Sequence, residues 1–275
     1  MRFGISGRGE EMNLNRLSRK AIAGVLPSEL IRWDVHYIPT VDSTQKYAAE
    51  IFPKRGRGGV FFGTNFQSAG RGREGRAWIA PRGKALLFSL VLIPRRPGDH
   101  HHFLTIVTAL AVCEALRSHL ALKPGMKWPN DVLVNGKKVC GILTEMVRSH
   151  DGEPGLVAGV GLNVNQGRSS FPGDLSGVAT SLSLETGERI PRLPLLGSLM
   201  KSFEDQYFLF QKGQSDEIIR RWKGYSSILG RYVSIRKGKR EIRGTVVDLE
   251  DTGAIVLRLD SGRTESFLGS ECRFL

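Results

Sequence analysis

The sequence predicts an α+β fold, with helices packed on a mixed, mainly antiparallel sheet and a small all-β unit at the C-terminal end. Three observations carry this. From residue 31 onward, strand-like segments follow one another as hairpins and do not alternate strictly with helices. Residues 99–122 place Phe103, Ile106, Val107, Leu110, Val112, Leu116 and Leu120 at helical spacing. After Gly230 only short strands and glycine turns remain.

Taken in order, residues 1–30 are polar and basic and read as an N-terminal extension that frays at its start, with a short helix within 14–26. Thirty residues are too few for a winged helix-turn-helix, so no DNA-reading domain is expected there. Residues 33–41 read as a strand. Ser43 suits an N-cap for a helix reaching Phe52. Residues 60–66 and 86–93 read as strands, followed by the long helix. Residues 131–134 and 139–147 flank Asn135-Gly136, a strong hairpin signal. Residues 156–164 form a further strand, thinned by Gly159 and Gly161. Two helices follow, over 193–211 and 216–225. Four strands (231–235, 241–248, 254–259, 264–268) make the terminal barrel. The expected domains are therefore 31–229 and 230–275, after the extension.

A length of 275 residues accommodates one large domain and one small one, and 40% hydrophobic residues supply a core. The net charge of +13 points to acidic partners such as phosphorylated substrates or nucleic acid. Eight basic residues and one acid fall between positions 54 and 84. Three widely spaced cysteines (Cys113, Cys140 and Cys272) give no disulfide framework and no zinc pair. Cys140, inside an apolar run, reads as packing. With no apolar leader and no apolar run of ~18 residues, a cytoplasmic protein away from the membrane is expected. His100-His101-His102 reads as helix-start polarity, with no acidic or cysteine partner at ligand spacing. Arg236-Lys237-Gly238-Lys239-Arg240 reads as a hairpin tip.

Two constellations carry chemistry. In Gly70-Arg71-Gly72-Arg73-Glu74-Gly75-Arg76-Ala77-Trp78, glycines let backbone N–H groups approach an anion and arginines offer forked donors. The stretch alone fits a lid over a nucleotide-like anion and a basic patch equally well. In the second constellation, Lys127-Trp128-Pro129-Asn130-Asp131 precedes Gly136-Lys137-Lys138. Asp131 and Lys138 begin adjacent antiparallel strands, so the two can meet. The lysine is then either a fixed cation beside a reacting oxyanion or an exposed hairpin residue.

These stretches occur in order with Asp42-Ser43-Thr44-Gln45, Gln67-Ser68-Ala69 ahead of the arginine run, Val139-Cys140-Gly141-Ile142, and Gly159-Val160-Gly161-Leu162-Asn163-Val164-Asn165. Together they resemble the successive signatures of biotin protein ligases, from about residue 31 to the C-terminus. The resemblance is to the monofunctional type without an N-terminal DNA-binding domain. It implies a class II synthetase-like catalytic domain and an SH3-like C-terminal barrel. It also implies ATP-dependent formation of biotinyl-5′-AMP, then transfer to a lysine of a biotin carboxyl carrier protein, with magnesium accompanying ATP.

By the same resemblance, Ser43, Thr44, Gln45 and Gln67 would meet biotin's ureido ring. Asparagine is also common in the family where this chain has Gln45. Arg71, Gly72 and Arg73 would wrap the carboxylate and the adenylate phosphate, Lys138 would contact the carboxylate or an α-phosphate oxygen, and Gly141 would lie against biotin. Trp78, Asn130 and Asn163 would serve the nucleotide. Arg73, Lys138 and Asp131 are the expected catalytic residues, and no metal ligand is named. Sheet-edge homodimers occur in the family, although no residue here marks one. A lipoate ligase-like acyl transferase of the same fold, and a nucleic-acid-binding regulator, are the competing readings.

Overall fold

The computed structural model describes residues 14–94, 101–171, 173–237, 240–269 and 271–274. Its first helix, α1 (Arg19–Ala23), is capped by Ser18, whose Oγ accepts from the Ala21 N–H. Strand β1 (Asp34–Ile38) follows, then α2 (Thr44–Arg55). Ser43 is the N-cap, its side chain accepting from the Lys46 N–H. The helix runs past Phe52 and through Pro53. It stops at Gly56, whose φ of 60° turns its N–H back onto the Phe52 carbonyl.

The central sheet contains β1, β2 (Val60–Thr64), β3 (Ala85–Leu92), β4 (Pro124–Lys127), β5 (Asp131–Val134), β6 (Lys137–Arg148) and β7 (Pro154–Asn163), in the order β1-β2-β3-β7-β6-β5-β4. Among the described strands of this sheet only the β1–β2 pairing is parallel. The strand β4 escapes the sequence pattern because Pro124-Gly125 disfavours strands, and it survives as an edge.

Alternation sorts the two faces. On β3, Leu86, Phe88, Leu90 and Leu92 join the main core with α3 (His101–Leu120) and α5 (Arg192–Gln211). The alternate residue Val91 joins Val157 under Ala48 and Phe52 of α2. Thus α2 covers part of the second face and leaves the rest open. By length and composition α3 could cross a membrane, which corrects the expectation that no apolar stretch is long enough. Of its most apolar 18 residues, 72% are buried in the fold, between the sheet and α5.

Residues 14–33 belong to this core more than a loose extension would. Leu17 and Ile22 are buried in it. Glu204 of α5 accepts from the N–H groups of Leu30 and Ile31 and from Trp33 Nε1. Short α4 (Leu182–Thr186) precedes α5, and α6 (Ser215–Tyr225) follows it.

The C-terminal strands are β8 (Tyr232–Lys237), β9 (Arg240–Leu249), β10 (Ile255–Leu259), β11 (Thr264–Phe267) and β12 (Glu271–Phe274). They form one antiparallel sheet in the order β11-β10-β9-β8-β12. Among the described residues the edge strands β11 and β12 do not pair with each other. The fifth strand was not expected from the pattern. Lys237 and Arg240 pair as β8 turns into β9, while residues 238–239 of the expected tip lie outside the described residues, as does His100.

Candidate active site

The uncovered part of the second face is a cleft of about 600 Å³. Every site residue expected from the sequence lines it. Its floor is low because Gly159 and Gly161 alternate on β7, and Gly141 of β6 sits in register with Gly161. The Trp78 indole lies across this glycine pair. A Cβ on Gly161 would collide with the indole Cε2, and one on Gly141 would come within 2.9 Å of Cζ3. The indole Nε1 is buried with no hydrogen-bond partner among the described residues.

One wall is the first turn of α2 together with Gln67. The Thr44 N–H and Oγ1 both donate to Gln67 Oε1, at 2.7 and 3.1 Å. Gln45 points inward: its Nε2 donates to Glu145 Oε2 and to the Val157 carbonyl. The recess it fills exists because Gly159 has no side chain. Gln45 lines the cleft with its amide already engaged, which reduces its expected part in holding the ureido ring directly.

Residues 70–78 form an ordered hairpin. The N–H of Gly72 donates to the Arg76 carbonyl and that of Trp78 to the Gly70 carbonyl, with Arg71 bridging Ala77. Glu74 at the tip adopts φ 56° and pairs with Arg76 at 2.9 Å. Arg71 is exposed on the cleft rim. Arg73 reaches across: NH1 donates to Asn130 Oδ1 at 3.4 Å and NH2 to the Gly269 carbonyl at 2.5 Å.

The opposite wall holds Lys138, whose Nζ is 2.6 Å from Asp131 Oδ1 and 5.6 Å from the Trp78 ring centre. The hairpin spacing read from the sequence does bring the two together. Asn130 is fixed by donating from Nδ2 to the Ile142 carbonyl. Asn163 donates to the Thr180 carbonyl and accepts from Gln166 Nε2, so its side chain braces the end of β7. Trp128 is a core aromatic whose Nε1 donates to the Gly253 carbonyl, joining the two sheets.

Several lining residues were not legible in advance. Cys272, Arg273 and Phe274 of β12 close one side of the cleft. Burial pushes the Cys272 thiol up to about 11 against a smaller opposing pull from Lys127, and burial also pushes Cys113 and Cys140 up. Thiols held protonated are poor nucleophiles, in keeping with a packing role for Cys140. Behind the cleft, Arg192 is buried, and desolvation lowers its pKa. Its NH1 donates to Asn65 Oδ1 and to the Ala85 carbonyl, and its NH2 to the Asn15 carbonyl. No carboxylate pairs with it among the described residues. Among those residues no group of three His, Cys, Asp or Glu side chains could hold a metal ion.

The chain is similar to known proteins in sequence and fold. Residues 37–165 match the biotin/lipoate A/B protein ligase family, and residues 228–275 match the biotin protein ligase C-terminal domain. The bifunctional ligase/repressor BirA of Bacillus spizizenii is 32% identical over 90% of this chain and 76% of its own length. The biotin–[acetyl-CoA-carboxylase] ligase of Paracoccus denitrificans is 33% identical over 81% of this chain and 93% of its own. The biotin protein ligase of Aquifex aeolicus, solved with biotin and ATP, superposes with a TM-score of 0.74 at 28% identity, covering 88% of this chain and 99% of that one. Motifs, cleft and relatives agree: this chain belongs to the biotin/lipoate A/B protein ligase family and carries its biotin protein ligase C-terminal domain.

Proposed function

We propose that this chain is an ATP-dependent ligase that activates biotin as biotinyl-5′-AMP and passes it to a lysine of a biotin carboxyl carrier domain. The observation that carries the reading is convergence. A hydrogen-bonding wall, two arginines and a lysine–aspartate pair open on one cleft. The Paracoccus relative named for acetyl-CoA carboxylase and the Aquifex ligase with biotin and ATP support the same assignment.

In the first step a biotin carboxylate oxygen attacks the α-phosphorus of ATP, and pyrophosphate leaves. Two anions must be brought together, so cations must offset their repulsion. Lys138 does this from the β5–β6 hairpin, with Asp131 holding its ammonium in place. Arg71 and Arg73 do so from the arginine hairpin. Alignment of the reactants contributes at most on the order of 7–11 kcal/mol. In the second step the carrier lysine nitrogen attacks the acyl carbon and AMP leaves, with Asp131 placed to receive the amine proton. Ser43, Thr44 and Gln67 hold the acyl substrate's head, and Gly72 and Gly141 admit it closely. Asn130 and Trp78 face the nucleotide side, with Asn163 bracing that wall.

Magnesium would accompany ATP and offset charge on its phosphates. Among the described residues the cleft offers only the carboxylates of Glu74 and Asp131, and Asp131 is held by Lys138. The described residues therefore offer the ion no cluster of protein ligands. Residues 31–229 act as the catalytic domain in this reading. Residues 230–275 act as an SH3-like barrel that closes the cleft through Arg73–Gly269 and Trp128–Gly253.

The test is incorporation of labelled biotin into a carrier domain with ATP. Transfer of lipoate or octanoate but no biotin would overturn the reading. Tight sequence-specific duplex binding in a gel-shift titration would favour a regulator instead, and the +13 charge is the feature that motivates that rival.

A further inference from the structure

The polar wall of the cleft continues inward, behind the side chains that face a ligand. Ser89 is fully buried on β3, and its Oγ donates to Thr44 Oγ1 at 2.9 Å. Thr44 in turn donates from both N and Oγ1 to Gln67 Oε1. Gln45 Oε1 lies 3.3 Å from the same Ser89 hydroxyl, while Gln45 Nε2 is taken by Val157 and Glu145.

Two members of this array cannot exchange roles. A backbone N–H only donates and a backbone carbonyl only accepts. The Thr44 N–H therefore fixes the oxygen end of Gln67, and the Val157 carbonyl fixes the nitrogen end of Gln45. The single Ser89 proton serves two acceptors, Thr44 Oγ1 at 2.9 Å and Gln45 Oε1 at 3.3 Å, so this hydroxyl ties the Gln45 and Thr44 side chains together. Gln67's oxygen is consumed, and its Nε2 is the end left for the cleft, beside Gly70 at the root of the arginine hairpin.

We propose that Gln45 and Ser89 are positioning residues for the acyl substrate. They hold Thr44 and Gln67 so that the wall presents an N–H donor. Such a wall selects a substrate head that carries an acceptor, such as a cyclic urea carbonyl, over an apolar ring such as a dithiolane. A site built to hydrogen-bond its substrate rejects an analogue lacking the group because its own polar atoms are left unpaired. Gly159 is part of the device: any side chain there would drive into the Gln45 amide and turn it out of its recess.

The inference rests on the ligase reading and is tested with the full chain, by adenylate formation at varied biotin, lipoate and ATP. Ser89→Ala removes one hydroxyl with little change in volume. The expected result is a biotin KM raised about tenfold, the equivalent of one hydrogen bond. The KM for ATP should stay near wild type, the melting temperature should fall by only a few degrees for the lost buried hydrogen bond, and the preference for biotin over lipoate should shrink with the biotin KM. Gln45→Leu should act in the same direction and further. An unchanged biotin KM in Ser89→Ala, or KM values for biotin and ATP that rise together, would overturn the inference. A wild-type protein that uses lipoate and not biotin would instead overturn the ligase reading, before any variant is made.

Discussion

Lys138 Nζ lies 2.6 Å from Asp131 Oδ1, across two strands whose register sets Asp131 opposite Gly141 and Lys138 opposite Leu133. The register shifts between Val132 and Leu133, which brings two side chains that a regular ladder would separate onto one wall. The carboxylate anchors the ammonium beside the Trp78 ring, where two further anions are proposed to meet.

Removing that ammonium should slow the first chemical step. For Lys138→Ala we expect adenylate formation, followed by pyrophosphate release, to fall by about 10²–10³, the usual cost of one preorganised charge donor. Transfer from chemically supplied biotinyl-5′-AMP should fall much less. Loss confined to the transfer step would contradict the role.

Arg73 ties the arginine hairpin to Asn130 and to Gly269. Arg73→Gly deletes both bonds and adds backbone freedom. The intermediate should then escape, and lysines outside the carrier should become biotinylated. Filter retention of labelled adenylate would measure this, and wild-type retention would refute it.

A methyl group on Gly161 would occupy the space of the Trp78 indole. Gly161→Ala should lift the ring off the floor, shift its fluorescence to longer wavelength and weaken biotin binding several-fold. Identical emission together with unchanged affinity would show that the indole's seat is of no consequence.

Cys272 lines the cleft with a thiol pushed up to about 11 by burial. At pH 7.5 its thiolate fraction should be about a hundredfold below that of an ordinary thiol, so alkylation should be slow and rise only above pH ~10. The raised value means the folded state retains the proton longer. Its stabilising effect is complete below the ordinary thiol range near 9 and is lost as pH climbs towards 11. Mass spectrometry of the labelled cysteine, with and without biotin and ATP, checks the rate and the shielding. Rapid labelling at pH 7.5 would contradict the burial.

Much of the frame was legible because its signals are local. Ser43 caps α2 as its type suggests, Asn135-Gly136 turns the hairpin, and the spacing from Phe103 to Leu120 forms one buried helix. The Asp131–Lys138 pair was legible for the same reason: its members are seven positions and one turn apart. What escaped depends on distant partners. Gln45 turns inward because Gly159, more than a hundred residues later, leaves it room. The strand β12 is four residues long and exists by pairing with β8, and it brings Cys272 to a cleft lined mostly by the central sheet and its loops.

Arg192 NH1 holds both roots of the β2–β3 connection, Asn65 just after β2 and Ala85 at the start of β3. These roots bound the whole connection of 20 residues, whose inner residues 70–78 close as a hairpin on their own hydrogen bonds. Halving a loop spares only about 0.6 kcal/mol of closure entropy. Burying a guanidinium away from any carboxylate costs several times that. Chain entropy is therefore too small a return to account for this arginine. The gain is in aim: the direction in which Arg71 and Arg73 project is inherited from the rigid core and not from the loop's own wandering.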